Sequence, residues 1–275
     1  MGKTFTIAIP QWQGSASGRG TYHGSLYMAE YIKSDYIVDV YLHSITKRNE
    51  GIWYIDDIKK HLKEALEALS KSGSKKVLSL GGDCSSGIGP ISYINKVYNK
   101  DVMLLWLDAH ANINTPDTST TGKCNGMPLR ILLGEGSSSL VNLLPSTLNT
   151  KQIVYTGLRS LDEGEKQFIV NNEIVTAPPC GKESTLLTNL IKSKGYKNVY
   201  IHLDLDVLDP SEFNAVSYPT EGGIKFKELL FTIETLASKF NIVGFNITEY
   251  QLVGDVDKTK IKILLDLIKK VMNLS

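Results

Sequence analysis

Three cysteines in 275 residues, Cys84, Cys124 and Cys180, are too few for a disulfide framework, and an odd number cannot pair within one chain. None stands in a C-x-x-C pair, so a reducing cytoplasm is expected rather than secretion. Charge of one sign is equally scarce. Thirty basic residues face 29 acidic ones, which leaves no global field to recruit nucleic acid. Long apolar runs are absent as well: "MGKTFTIAIPQW" is too short for a signal peptide, and no stretch reaches membrane-spanning length. No internal repeat, heptad array or low-complexity linker divides the chain, so a single domain over residues 1–275 is expected, with no membrane partner. An apolar fraction of 42% suffices for a sizeable core.

What is present is a rhythm. Short β-branched runs recur at 4–9, 36–42, 75–80, 102–107, 151–158, 197–205 and 240–247, several apolar at successive positions, as strands buried on both faces should be. Amphipathic stretches separate them, such as "IDDIKKHLKEALEALSKSG" (55–73), which ends on a glycine stop. Strand and helix in alternation predict a three-layer α/β/α fold around a mostly parallel sheet of about eight strands. The one long irregular stretch, "NINTPDTSTTGKCNGMP" (112–128), has the length of a functional loop.

In a parallel sheet the carboxyl ends of the strands share one edge, where ligands bind. Four runs turn polar there: "VLSL" into "GGDCSS", "LLWL" into "DAHANIN", "YIHL" into "DLDVLDP" and "GFNI" into "TEYQ". Asp204 and Asp206, two apart on an extended path, are expected to point the same way, as are Asp108, His110 and Asn112. Carboxylates, an imidazole and a cysteine at one edge suit two divalent cations. Each piece also has a plainer reading: D-x-H as a cap, D-x-D-x-x-D-P as an acidic turn, Cys84 as a small core residue.

Taken in order, these segments resemble the arginase and agmatinase family of ureohydrolases over most of the chain. "LGGDCSS" resembles the family's G-G-D-H-S, "DAHANINTPDTSTTGKCNGMPL" its D-A-H-x-D-x-N segment and H-G-M-P, "HLDLDVLDP" its S-x-D-x-D-x-x-D-P, and "TEY" its strand-end V-E. The resemblance implies a binuclear manganese centre that activates water against a guanidinium carbon. Carried over by position, the ligands are Cys84, Asp108, His110, Asn112, Asp204 and Asp206, with Asp108 and Asp204 shared between the ions and Glu249 facing the guanidinium.

Three positions depart from the family pattern: Cys84 and Asn125 stand where it has histidines, and Asn112 where it has a carboxylate. In that pattern the residues at positions 84 and 112 belong to the same ion. As a thiolate, Cys84 supplies the charge that Asn112 lacks, and the six ligands still sum to minus four; nearby cations favour the ionised thiol. Loss of metal and of activity, leaving a protein that binds a guanidino ligand or a partner, is the rival reading. Sulfur also opens the site to Zn²⁺ or another softer ion beside Mn²⁺.

Asn125 occupies the place of a proton-transferring histidine, a role that contributes about 10² to 10⁴ in rate. A guanidine of lowered basicity, such as Nω-hydroxy-L-arginine, is better placed than arginine to tolerate that change, and a thiolate centre resembles what is expected of a hydroxyarginine-hydrolysing branch. "TGLRSLDEGE" resembles an element that binds the substrate ammonium through Asp162, with Glu165 nearby, while Asn114 and Thr121 match residues that hold the α-carboxylate. "DEGE" also reads as an ordinary helix start. The expected partner is a small guanidino amino acid. With only one amphipathic stretch (255–273) after Glu249, a monomer is favoured over the family's trimer.

Overall fold

The computed structural model describes residues 3–16, 18–177 and 184–274; Cys180 lies outside them. Eight strands form one sheet: β1 (Phe5–Ile9), β2 (Tyr36–Ile37), β3 (Val77–Gly81), β4 (Met103–Leu107), β5 (Ile153–Thr156), β6 (Val175–Ala177), β7 (Asn198–Asp204) and β8 (Asn241–Thr248). Their order is β2-β1-β3-β8-β7-β4-β5-β6, and every neighbouring pair is parallel. The expected three-layer α/β/α architecture is therefore met. All carboxyl ends open on one edge, and the strand order turns back on itself around β3, β8, β7 and β4, the strands that carry the polar segments.

Alternation along β4 shows why the sheet needs helices on both sides. Met103, Leu105 and Leu107 join one core with α1 (Gly20–Ile32), α5 (Ser184–Ser193), α6 (Phe226–Lys239) and α7 (Thr259–Val271). Leu104 and Trp106 join the other, with α2 (Ile55–Ser72) and α3 (Ile88–Val97); α4 (Glu163–Asn171) packs on that side too, through Phe168 and Ile169. Within α2 the sequence signals hold: Asp56 and Asp57 occupy the first turn, Lys71 the last, and Gly73 closes it at φ 60°. None of the helices is long and apolar enough to cross a membrane, among the described residues.

One strand expectation needs correction, and one strand has no counterpart among the expected runs. The run at 36–42 forms a strand only at Tyr36–Ile37, because the Asp39 N–H donates to the Glu64 carboxylate at 2.9 Å instead of to a neighbouring strand. The edge strand Val175–Ala177 is too short and too exposed for its pattern to register.

One core polar group sets a pH limit. His61 on α2 is fully buried, with Nδ1 3.1 Å from Oε1 of Gln11, and burial together with nearby Lys60 pushes its pKa down to about 4. The unfolded chain takes up this proton below about pH 6.5 while the folded chain does not, so stability is full above that pH and falls as pH drops toward 4, by about 3 kcal/mol. Urea unfolding at pH 7 and pH 4 is expected to show this loss in the native protein and a loss smaller by about that amount in His61→Gln.

Candidate metal centre

The centre grows from three loops at the carboxyl edge. After β3, Gly82–Asp83–Cys84 turns sharply, and a Cβ on Gly82 would lie 2.0 Å from the carbonyl oxygen of Gln11. Asp83 anchors the turn, accepting from the backbone N–H groups of Gly14 (2.8 Å) and Ser85 (3.0 Å) and from Ser85 Oγ. Burial raises its carboxyl to about 6 in spite of these bonds. Cys84 is thereby fixed facing inward, with Sγ 2.8 Å from Oδ2 of Asp204.

After β4, Asp108 accepts from Trp106 Nε1 (2.9 Å), the His110 N–H (2.7 Å) and Asn112 Nδ2 (2.7 Å). The extended path expected through Asn112 breaks there, since Asn112 adopts φ 52°, yet its amide still turns back onto Asp108. After β7, the strand stops at Asp204, and Asp206 is carried by a 3₁₀ turn whose N–H donates to Asp204 Oδ1 at 2.9 Å. Both carboxylates line one cleft, as the spacing argument expects, although a 3₁₀ turn and not the strand carries Asp206. Asp204 gathers with Cys84 and Glu249, whereas Asp206 gathers with Asp108 and His110. Arg159, in the loop after β5, braces the segment after β7 by donating to the main-chain carbonyls of Asp206 and Thr220.

Glu249 follows β8 in a left-handed conformation, φ 65°, and is fully buried. Its carboxylate accepts from the Cys84 N–H at 3.2 Å and from the Ser217 hydroxyl.

So many acids in one buried place hold one another's protons. Burial and then the charge of Asp206 raise Asp108 to about 7; burial and Asp83 raise Glu249 to about 8; burial, Asp206, Asp108 and Glu249 raise Asp204 well above the usual carboxyl range. Burial and the charge of Asp204 push up the Cys84 thiol. Burial alone would lower His110, but hydrogen bonding to Asp108 and Asp206 lifts it to about 11.

The donors fit a pair of divalent cations. Oδ2 of Asp206 is buried without an aligned hydrogen bond and lies 2.9 Å from Nδ1 of His110. Two ligands at right angles about 2.1 Å from one ion stand about 3.0 Å apart, close to this spacing and to that of Cys84 and Asp204. One sulfur, one imidazole and several carboxylate oxygens form a donor set for divalent cations, the oxygens suiting harder ions and the sulfur softer ones.

A cleft of about 190 Å³ leads to this centre, lined by Cys84, His110, Asn112, Asp204, Asp206 and Glu249, with Thr121, Asn125 and Glu165 further out. A larger cleft of about 790 Å³ opens at the opposite, amino edge beside Lys76 and Lys270, but no ligating cluster lies there among the described residues. Asp162 sits at the start of α4, where its carboxylate accepts from the Glu165 N–H at 2.8 Å and the Glu165 carboxylate accepts from the Asp162 N–H at 3.2 Å, a capping box. It also accepts from Asn114 Nδ2 at 2.8 Å. Lys123 and Tyr218 line the cleft too, joined at 3.0 Å between Nζ and the phenolic oxygen. Sequence reading singled out neither of them, nor Ser217, because they lie on irregular loops without periodicity.

The Arginase family model matches residues 15–272. An arginase from Staphylococcus aureus is 34% identical over 214 residues, 75% of this chain and 70% of that protein. The crystal structure of a Bacillus cereus arginase superposes with a TM-score of 0.85 at 25% identity, covering 98% of each chain. The structure of an Entamoeba histolytica arginase, solved in complex with L-ornithine, gives a TM-score of 0.85 at 22% identity, again over 98% of each chain, and carries the likeness in fold alone. A family match spanning nearly the whole chain, on a parallel sheet whose carboxyl edge gathers acids, a histidine and a cysteine, leads to one conclusion: the chain belongs to the arginase family of metal-dependent hydrolases that act on C–N bonds.

Proposed function

We propose that the protein hydrolyses the guanidino group of an arginine-like amino acid, taking Nω-hydroxy-L-arginine to hydroxyurea and ornithine in preference to L-arginine, which yields urea and ornithine. The observation that carries this reading is the pairing of Cys84 with Asp204 and Glu249 beside the Asp108, His110, Asp206 cluster. Cys84, Asp108, Asn112, His110, Asp204 and Asp206 would hold the pair of cations, Cys84 and Asn112 toward one and His110 and Asp206 toward the other. When bound, two Mn²⁺ ions supply Lewis acidity and lower the pKa of water to about 7.

The protein's own groups do the rest. Glu249, held by Ser217 and the Cys84 N–H, presents its carboxylate to the guanidine and fixes the carbon for attack. Asn114, Thr121, Asp162 and Glu165 hold the amino-acid end, and the Lys123 ammonium at the same rim supplies a cation for the α-carboxylate. Agmatine has no carboxylate to meet it. Asn125 cannot move a proton, which favours a guanidine that is already less basic than arginine.

Product release from L-arginine, Nω-hydroxy-L-arginine and agmatine, measured with Mn²⁺, Zn²⁺ and Co²⁺ in turn, tests this directly. Hydroxyarginine is expected to be the fastest substrate and agmatine the slowest, and Asn125→His is expected to raise kcat on arginine by about 10-fold or more. If the protein binds two equivalents of metal yet hydrolyses no guanidine, it is a binding protein and the hydrolase reading falls.

A further inference from the structure

One imidazole near the centre has no assigned work. His202 stands two residues before Asp204 on β7, opposite Trp106, which stands two before Asp108 on β4, so both rings lie on the same sheet face as those carboxylates, one step below them. The rings are stacked, with centroids 3.5 Å apart and planes 9° from parallel. His202 is fully buried, Nδ1 lies 2.9 Å from Nδ2 of Asn246, and Nε2 has no hydrogen-bond partner among the described residues. A buried, unpaired polar nitrogen is costly to keep.

That nitrogen has company. A ring nitrogen of His202, Sγ of Cys84 and a carboxylate oxygen of Asp108 all lie within 4.8 Å of one another. Nδ1 is engaged with Asn246 and lies 3.3 Å from where a Cβ on Gly87 would stand, which leaves Nε2 as the nitrogen without a partner. No hydrogen bond joins Nε2 to either neighbour, so the three atoms converge without satisfying one another. Three ligands of a common ion, each about 2.0 to 2.3 Å from it, stand about 3 to 4 Å from one another, inside the 4.8 Å that bounds this group.

We propose that Nε2 of His202 is a further ligand of the cation held by Cys84 and Asp108, an inference that rests on the thiolate centre described above. The family pattern that the sequence resembles has histidine at position 84 and serine at position 202; this chain has cysteine and histidine. The imidazole of that cation is supplied from β7 instead of from the loop after β3. For Nε2 to ligate, Nδ1 carries the ring proton and donates it to Asn246. A half-turn of the Asn246 amide brings in Oδ1, itself buried without a partner, to accept it.

The test loads native protein and His202→Ala with Co²⁺, following stoichiometry by equilibrium dialysis and the thiolate-to-cobalt charge-transfer band in the near ultraviolet. Native protein is expected to bind two ions and show the band. His202→Ala is expected to keep the ion at His110 and Asp206, to bind the other more weakly by about 100-fold or more, and to regain the band when free imidazole is added. Unchanged affinities and an unchanged band in His202→Ala would overturn the assignment while leaving the Cys84 centre intact. A native protein that binds two ions without the band would sink the Cys84 centre instead. Should the variant not fold, anomalous diffraction from native crystals soaked in Mn²⁺ decides: an ion within about 2.4 Å of Nε2 supports the ligand, and one beyond about 3 Å overturns it.

Discussion

Asp204→Asn is expected to bind neither cation tightly and to lose more than about 100-fold in kcat/KM, since even an outer partner of a metal ligand is worth about 10- to 100-fold. Asp204 is the seam of the site: Oδ2 lies 2.8 Å from the Cys84 sulfur, while Oδ1 accepts from the N–H of Asp206, which belongs to the other cluster. The same change is expected to stabilise the protein when metal is removed by a chelator. Burial and the charges of Asp206, Asp108 and Glu249 raise the Asp204 carboxyl far above its unfolded value. Folding therefore works against the ionised carboxylate there, a cost that a neutral amide avoids. Calorimetry of the chelated proteins, beside metal titration, separates lost ligation from misfolding. A chelated variant that melts well below the native protein would refute this electrostatic account.

Cys84→Ala is the second large effect. It removes the one sulfur that the described residues bring to the centre and lowers the ligand charge from minus four to minus three, so one ion is expected to be lost and hydrolysis reduced by more than about 100-fold. The charge argument makes a sharper forecast for exchanges. Cys84→His alone leaves minus three, and Asn112→Asp alone makes minus five. The double exchange returns the sum to minus four and is expected to bind two ions with higher affinity than either single variant. Asn112 has the position for this, because its amide already lies 2.7 Å from Asp108. A double variant that binds no better than Cys84→His would show that charge is not what links the two positions. Arginine hydrolysis is not expected to return in full, since Asn125 still cannot transfer a proton.

The core strands were legible because burial on both faces writes apolar residues at successive positions, at every one in Met103–Leu107 and at all but Ser79 and the closing glycine in Val77–Gly81. At the sheet edges the pattern thins. Tyr36–Ile37 is exposed and ends where Glu64 takes the Asp39 N–H, and Val175–Ala177 is too brief to show a period. At the site, chain order predicted which residues meet, but not how. Asp204 and Asp206 reach different clusters because the strand gives way to a 3₁₀ turn between them, and no spacing rule foretells that. Asp83 passed as part of a motif, although it is the anchor that aims Cys84. Asp162 and Glu165 offered two readings, and the structure contains the capping box together with the contact to Asn114. Lys123, Ser217 and Tyr218 left no trace in periodicity because irregular loops deliver them.

Sulfur in the coordination shell is the point on which the charge argument turns, and X-ray absorption at the metal edge reads it without reference to turnover. The Zn²⁺-loaded protein is expected to give a sulfur shell at about 2.3 Å that disappears in Cys84→Ser. A native spectrum fitted by oxygen and nitrogen neighbours alone, with both sites filled, would contradict it.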